Sequence, residues 1–139
     1  MFTLAHLSDV HLAPLPVPHP LELLSKRGLG YINWLRKRHA IHRVDMLAAL
    51  VADLKQHAPD HVAVTGDLVN LSLTNEFAPA RAWLQQLGKP RDVTFVPGNH
   101  DSYVRAAMGF AARDWGDYMR GDKGESFPFV RMHLSLIHI

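Results

Sequence analysis

The sequence predicts an α/β fold built on parallel strands, and three observations carry that prediction. Short β-rich apolar runs alternate with stretches whose apolar residues recur at helical spacing, in the order strand, helix, strand, helix, strand, helix. Each strand run stops at a polar cluster: Asp9 and His11 after the first, Asp67 after the second, Asn99 and His100 after the third. Parallel sheets with right-handed crossovers gather ligands beyond the carboxyl ends of their strands, which is where all three clusters fall.

The first strand is the apolar run Thr3 to Leu7, ending at Ser8-Asp9-Val10-His11. Four prolines between Pro14 and Pro20 forbid regular structure there. A basic, aromatic-containing insert follows from Leu21 to Arg43, with Lys26, Arg27, Arg36, Lys37, Arg38 and Arg43 against a single Glu22. Val44, Leu47, Ala48, Val51 and Leu54 then mark a helix from about Arg43 to His57, closed by Pro59. His61 to Thr65 is the second strand, stopped by Gly66-Asp67. Phe77, Ala80, Leu84 and Leu87 give the next helical stripe, with Asn75 as its expected N-cap and Gly88 as its stop. Val93 to Val96 is the third strand. Val104, Met108, Ala111 or Ala112, Trp115 and Met119 make the last amphipathic helix.

Composition narrows the function classes. At 47% hydrophobic and 20% charged, the 139-residue chain lies far from disordered or low-complexity sequences. No stretch approaches the ~20 apolar residues of a membrane-spanning helix, and the first residues lack the basic and apolar regions of an export signal. The absence of cysteine excludes disulfides, thiolate metal sites and a thiol nucleophile, and fits a cytoplasmic setting. A net charge of +2 provides no polyanion-binding surface by itself, so a nucleic-acid partner is not expected.

The chemistry lies at the strand ends. Asp9 and His11 are two residues apart, and on an extended chain alternate side chains face the same way, toward one ion. Gly66 permits a tight exit from the sheet and lets Asp67 project from the strand end. In Gly98-Asn99-His100-Asp101, Asn99 offers a neutral carbonyl ligand and His100 a group to manage a proton. Asp101 reads as a helix N-cap or an orienting partner. Asp, His, Asp and Asn form an oxygen and nitrogen donor set suited to Mn²⁺, Fe or Zn²⁺. A carboxylate shared by two ions ~3.5–4 Å apart would clamp an in-line displacement at phosphorus.

Asp9-Val10-His11, Gly66-Asp67-Leu68-Val69-Asn70 and Gly98-Asn99-His100-Asp101 resemble, in order and spacing, the first three motifs of the calcineurin-like metallophosphoesterases. The general appearance resembles the bacterial branch that contains cyclic-nucleotide phosphodiesterases. The resemblance implies an αββα sandwich, here reduced to its N-terminal βαβαβα portion. It also implies two divalent ions, with Asp9 and His11 on the first, Asp67 shared and Asn99 on the second. His100 would stabilise the transition state or protonate the leaving oxygen, and a metal-bridging hydroxide would attack a small phosphomonoester or phosphodiester, such as a cyclic nucleotide. The alternatives are a nuclease of the related DNA-repair branch, marked by salt-dependent DNA binding, and a non-catalytic scaffold of the same fold.

Two departures from the family pattern matter. The protein-phosphatase branch has Asp three residues after the shared Asp, paired with the catalytic His; here that residue is Asn70, which argues against that branch. The later Gly-His and Gly-His-x-His motifs are absent, so the chain reads as an inactive N-terminal fragment. Residues 1–131 are assigned to the phosphoesterase domain. Residues 132–139 are read as a non-native tail, since Leu134-Ser135-Leu136-Ile137-His138-Ile139 resembles a translated transposon-end sequencing adapter. The insert 21–43 has three readings: phosphate steering by Lys26, Arg27, Arg36, Lys37 and Arg38; peripheral contact with acidic lipid, using Tyr31 and Trp34; or a solvated cap whose aromatics pack on the domain. His6 reads as packed or at the sheet face, and His19, His39, His42, His57 and His61 as surface or capping residues. Oligomeric state is not encoded in any motif. Re-sequencing the locus tests the tail, and an uninterrupted gene ending at Ile139 overturns it.

Overall fold

The computed structural model describes residues 2–38, 44–124 and 128–133. His39, His42, Arg43 and the adapter-like residues 134–139 lie outside them. The three expected strands are present: β1 (Leu4–Ser8), β2 (His61–Gly66) and β3 (Val93–Pro97). They form one parallel sheet in the order β1-β2-β3, with Leu7 beside Val64 and Val64 beside Phe95. Parallel neighbours require crossover connections, and these supply α2 (Val44–Gln56) and α3 (Phe77–Leu87). The helix α4 (Arg105–Trp115) follows β3. The α/β fold and its parallel strands are therefore as the alternation of elements predicts.

The core lies where α3 and α4 cover the sheet. Val62, Val64, Val93 and Phe95 are buried against Phe77, Ala80 and Leu84 of α3 and Ala107, Ala111 and Trp115 of α4. Trp115 anchors it: its ring stacks on Phe77 at 4.8 Å, meets Phe95 edge-on at 5.3 Å, and its Nε1 donates to the Phe77 carbonyl at 3.2 Å. The α4 stripe runs through Ala107, Ala111 and Trp115, and Met108 is exposed, contrary to the expected stripe. The i, i+4, i+8 row places small residues against α3, where a methionine would not fit as closely.

Helix α2 departs further from expectation, since none of its residues is buried. Val51 and Leu54 only partly pack on the core, and Lys55 Nζ donates to the Gln86 carbonyl at 2.7 Å, tying α2 to α3. The expected cap Asn75 also serves elsewhere. Its side chain donates to the Val17 carbonyl at 2.9 Å, while a short 3₁₀ turn (Thr74–Glu76) leads into α3.

The insert between β1 and α2 forms a 3₁₀ turn (Pro20–Leu24), then α1 (Lys26–Asn33), which widens into a π-helical turn over Trp34–Arg38. His19 Nδ1 and Ser25 Oγ accept from Leu21 N and Arg27 N, so each caps the turn that follows it. Arg27, expected on a solvent-facing basic surface, points inward and is 9% exposed. His61 is also a correction: it is buried in the sheet, with Nε2 2.8 Å from Thr94 Oγ1. His6 lies at the sheet face beside Thr65 Oγ1, at 2.7 Å.

Replacing Trp115 by Ala removes two ring contacts and a buried hydrogen bond, and should lower unfolding stability by about 3–5 kcal/mol. Urea denaturation reads this directly, and a loss below ~1 kcal/mol would sink the assignment of Trp115 as the core anchor.

Candidate metal centre

The site is built on a segment that is buried without being regular. Asp67 to Leu73 are seven consecutive buried residues with neither helix nor strand. Buried backbone groups need partners, and here charged side chains provide most of them. Asp101, fully buried, accepts from Leu68 N (2.9 Å) and Val69 N (3.0 Å) through Oδ1 and from Gly98 N (2.8 Å) through Oδ2. Glu76, also buried, accepts from Asn70 N (2.7 Å), Leu71 N (3.1 Å) and Leu73 N (2.8 Å). On the carbonyl side, Arg27 donates to Leu71 O at 3.3 Å and to Ser72 O. Burial pushes the Asp101 carboxyl up to about 7, against the downward pull of the backbone donors Val69, Gly98 and Leu68. It raises Glu76 in the same way, against the pull of its own donors.

Asp101 therefore resolves between the two roles its sequence position allowed. Helix α4 begins at Arg105 with Val104 as its N-cap, so Asp101 orients two loops and caps no helix. Glu76 carried no sequence signal of its own. The clue lay in the apolar run Leu68-Val69-Asn70-Leu71-Ser72-Leu73, which must bury backbone wherever it folds irregularly.

With this segment fixed, the strand-end side chains converge. The chain leaving β1 runs beside it: Asp9 N donates to Thr65 O, His11 N to Asp67 O and Leu12 N to Leu68 O, each at 3.0 Å. Asp9, His11 and Asp67 each place a ligating atom within 4.8 Å of the others. His11 Nε2 is 3.7 Å from Asp67 Oδ2. Contrary to expectation, Asp9 and His11 do not lie on an extended chain: both have left-handed backbones, with φ of 50° and 44°. They converge through these two left-handed residues beyond the strand end, and the alternation of a β-strand plays no part.

Two glycines permit the approach. Gly66 has φ +78°, and a Cβ there would lie 2.7 Å from Asp9 Oδ1. At Gly98 a Cβ would lie 2.3 Å from Asp67 Oδ1. The loop after β3 can thus lie against the Asp67 carboxylate, whose Oδ1 accepts from His100 N at 2.7 Å. Asn99 sits exposed between Gly98 and His100 on that loop.

The His100 ring is held on several sides. Nδ1 donates to the Asn70 carbonyl oxygen. The ring meets His11 edge-on at 5.2 Å and lies parallel to Tyr103 at 5.6 Å, with Lys26 Nζ 4.5 Å over the Tyr103 ring. Asn70 thus meets His100 through its backbone, while its side chain donates to Leu12 O at 2.8 Å. A cleft of about 370 Å³ opens beside His100, lined by Asn33, Trp34, Asn70, Leu71 and Tyr103.

Two carboxylates and one imidazole at the carboxyl ends of parallel strands define an α/β protein with a candidate site for a divalent ion. The sequence matches the calcineurin-like phosphoesterase family over residues 2–135, and the chain belongs to that family. No curated protein and no solved structure matches it. Among the described residues no helix is long and apolar enough to cross a membrane.

Gly98→Ala should drive Asp67 off its position, and calorimetric titration with Mn²⁺ should show affinity reduced by about tenfold or more, as supporting-residue losses do. Unchanged affinity would remove the steric role given to Gly98. Asp101→Ala leaves two buried and one half-buried N–H group without their partner and should cost on the order of 3 kcal/mol in urea unfolding. Wild-type stability in that variant would show that water replaces the carboxylate.

Proposed function

We propose that the protein is a metal-dependent hydrolase of phosphate esters, a small phosphodiester such as a cyclic nucleotide foremost. The observation that carries this reading is the approach of Asp9, His11 and Asp67 to within 4.8 Å, at the strand ends of a calcineurin-like phosphoesterase. The donor set suits Mn²⁺, Fe or Zn²⁺, and a binuclear centre would draw Asn99 in as a ligand of the second ion, with Asp67 shared. Such ions supply charge neutralisation at phosphorus and a nucleophile at neutral pH.

The remaining work falls to the chain. Asp67 holds the loop after β3 through His100 N as well as offering a ligand. His100 takes its place as the acid for the leaving oxygen: Nδ1 is committed to the Asn70 carbonyl, and Tyr103 supports the ring face. The cleft beside His100 gives the leaving group a place to lie.

The chain lacks the Gly-His and Gly-His-x-His motifs from which the family draws further ligands. We therefore expect weak Mn²⁺ binding and negligible hydrolysis of bis(p-nitrophenyl) phosphate by these 139 residues. Asp67→Ala should abolish the Mn²⁺ heat, and a wild-type chain that binds no Mn²⁺ would contradict the metal centre. In a protein that carries both motifs, His100→Ala should keep Mn²⁺ and lose turnover by about 10²–10⁴-fold. An active His100→Ala enzyme would remove its acid role.

A further inference from the structure

The insert buries one cation and exposes several large apolar side chains. A solvated helix turns its apolar stripe inward and its charges outward. Here Arg27 is buried, hydrogen-bonded to Leu71 O, Ser72 O and Glu22 Oε1, whereas Leu24 is 84%, Leu29 75% and Leu21 70% exposed. Val17, Ile32 and Leu35 are exposed on the same segment. Single exposed leucines are ordinary, but six large apolar side chains are exposed between positions 17 and 35, a concentration of the kind that marks an interaction site.

The charge on the segment selects the partner. Lys26 and Arg36 are exposed, and the sequence adds Lys37, Arg38 and Arg43. The one carboxylate between positions 21 and 43, Glu22, is taken by Arg27 Nη1 at 3.3 Å and by Thr74 N and Oγ1 at 3.0 Å. A second copy would bring the same cations face to face, which costs affinity. Leucines flanked by cations, with Tyr31 and Trp34 half-buried beside them, match what an anionic bilayer surface offers: acyl chains below and phosphates at the rim. We propose that residues 17–36 dock the protein on an anionic phospholipid membrane, with the leucines in the acyl boundary and Arg36 among the headgroups.

Flotation of the full chain with vesicles tests this, using phosphatidylcholine alone or mixed with phosphatidylglycerol. The chain should float with the mixed vesicles, stay in solution with phosphatidylcholine alone, and be released by salt. The double variant L24S/L29S removes only exposed side chains; its thermal midpoint should hold while its partition coefficient falls by about tenfold or more. Arg36→Gln should lower partitioning by about fivefold, and it decides the matter alone if the double variant fails to fold. A chain that stays in solution with phosphatidylglycerol vesicles overturns the proposal, and so does a folded double variant or an Arg36→Gln variant that floats as well as wild type. A concentration-dependent dimer without vesicles, dissolved by L24S/L29S, would reassign the face to a second copy.

Discussion

The constraint on which the rest of the structure depends is the hydrogen bonding of the buried segment from Asp67 to Leu73. An irregular chain inside a protein cannot satisfy its own backbone, and each unpaired group costs about 1–3 kcal/mol. Here two partners come from far along the chain, Asp101 after β3 and Arg27 on the insert, and the third, Glu76, lies just beyond the segment before α3. Each is a charged group that is costly to bury alone, and each is made tolerable by the backbone it serves. The segment and its partners therefore stand or fall together.

Site geometry follows from that arrangement. Asp67 begins the segment, so fixing the segment fixes a metal-capable carboxylate. Asn70 lends its carbonyl to His100, and Ser72 Oγ donates to the His100 carbonyl, so the same segment sets the imidazole at both ring and backbone. Gly66 and Gly98 then let the neighbouring loops close on the Asp9 and Asp67 carboxylates. The left-handed backbones of Asp9 and His11 belong to the same closure, since their amides bond to Thr65 and Asp67.

Much of this was legible in the sequence, for definite reasons. Strands and helices announce themselves by period, and β1, β2, β3 and α3 fall where apolar spacing and Gly88 place them. Asp9, His11 and Asp67 were legible as a group because strand-end position is itself a signal in parallel sheets. What stayed hidden has no local pattern. The burial of Arg27 depends on carbonyls at Leu71 and Ser72, far along the chain, whereas Glu76 and Tyr103 act on near neighbours through irregular loops that carry no periodicity. The left-handed backbones at Asp9 and His11 left only a weak trace, since Asp and His are among the non-glycine residues enriched at positive φ yet adopt it only in a minority of positions.

The hydrogen bonds of Arg27 also bear on how the chain reaches this state. Arg27 and Leu71 are 44 residues apart, and Asp101 and Leu68 are 33 apart. Each link closes a long loop, and loop closure costs entropy before its contacts form. No short stretch of the chain can assemble the ligand cluster and seat His100 on its own. The order of assembly is thus set by topology: the sheet must pair and the insert must dock before the site geometry exists. Recovery of metal affinity on refolding therefore belongs with the last kinetic phase, behind the appearance of helical signal.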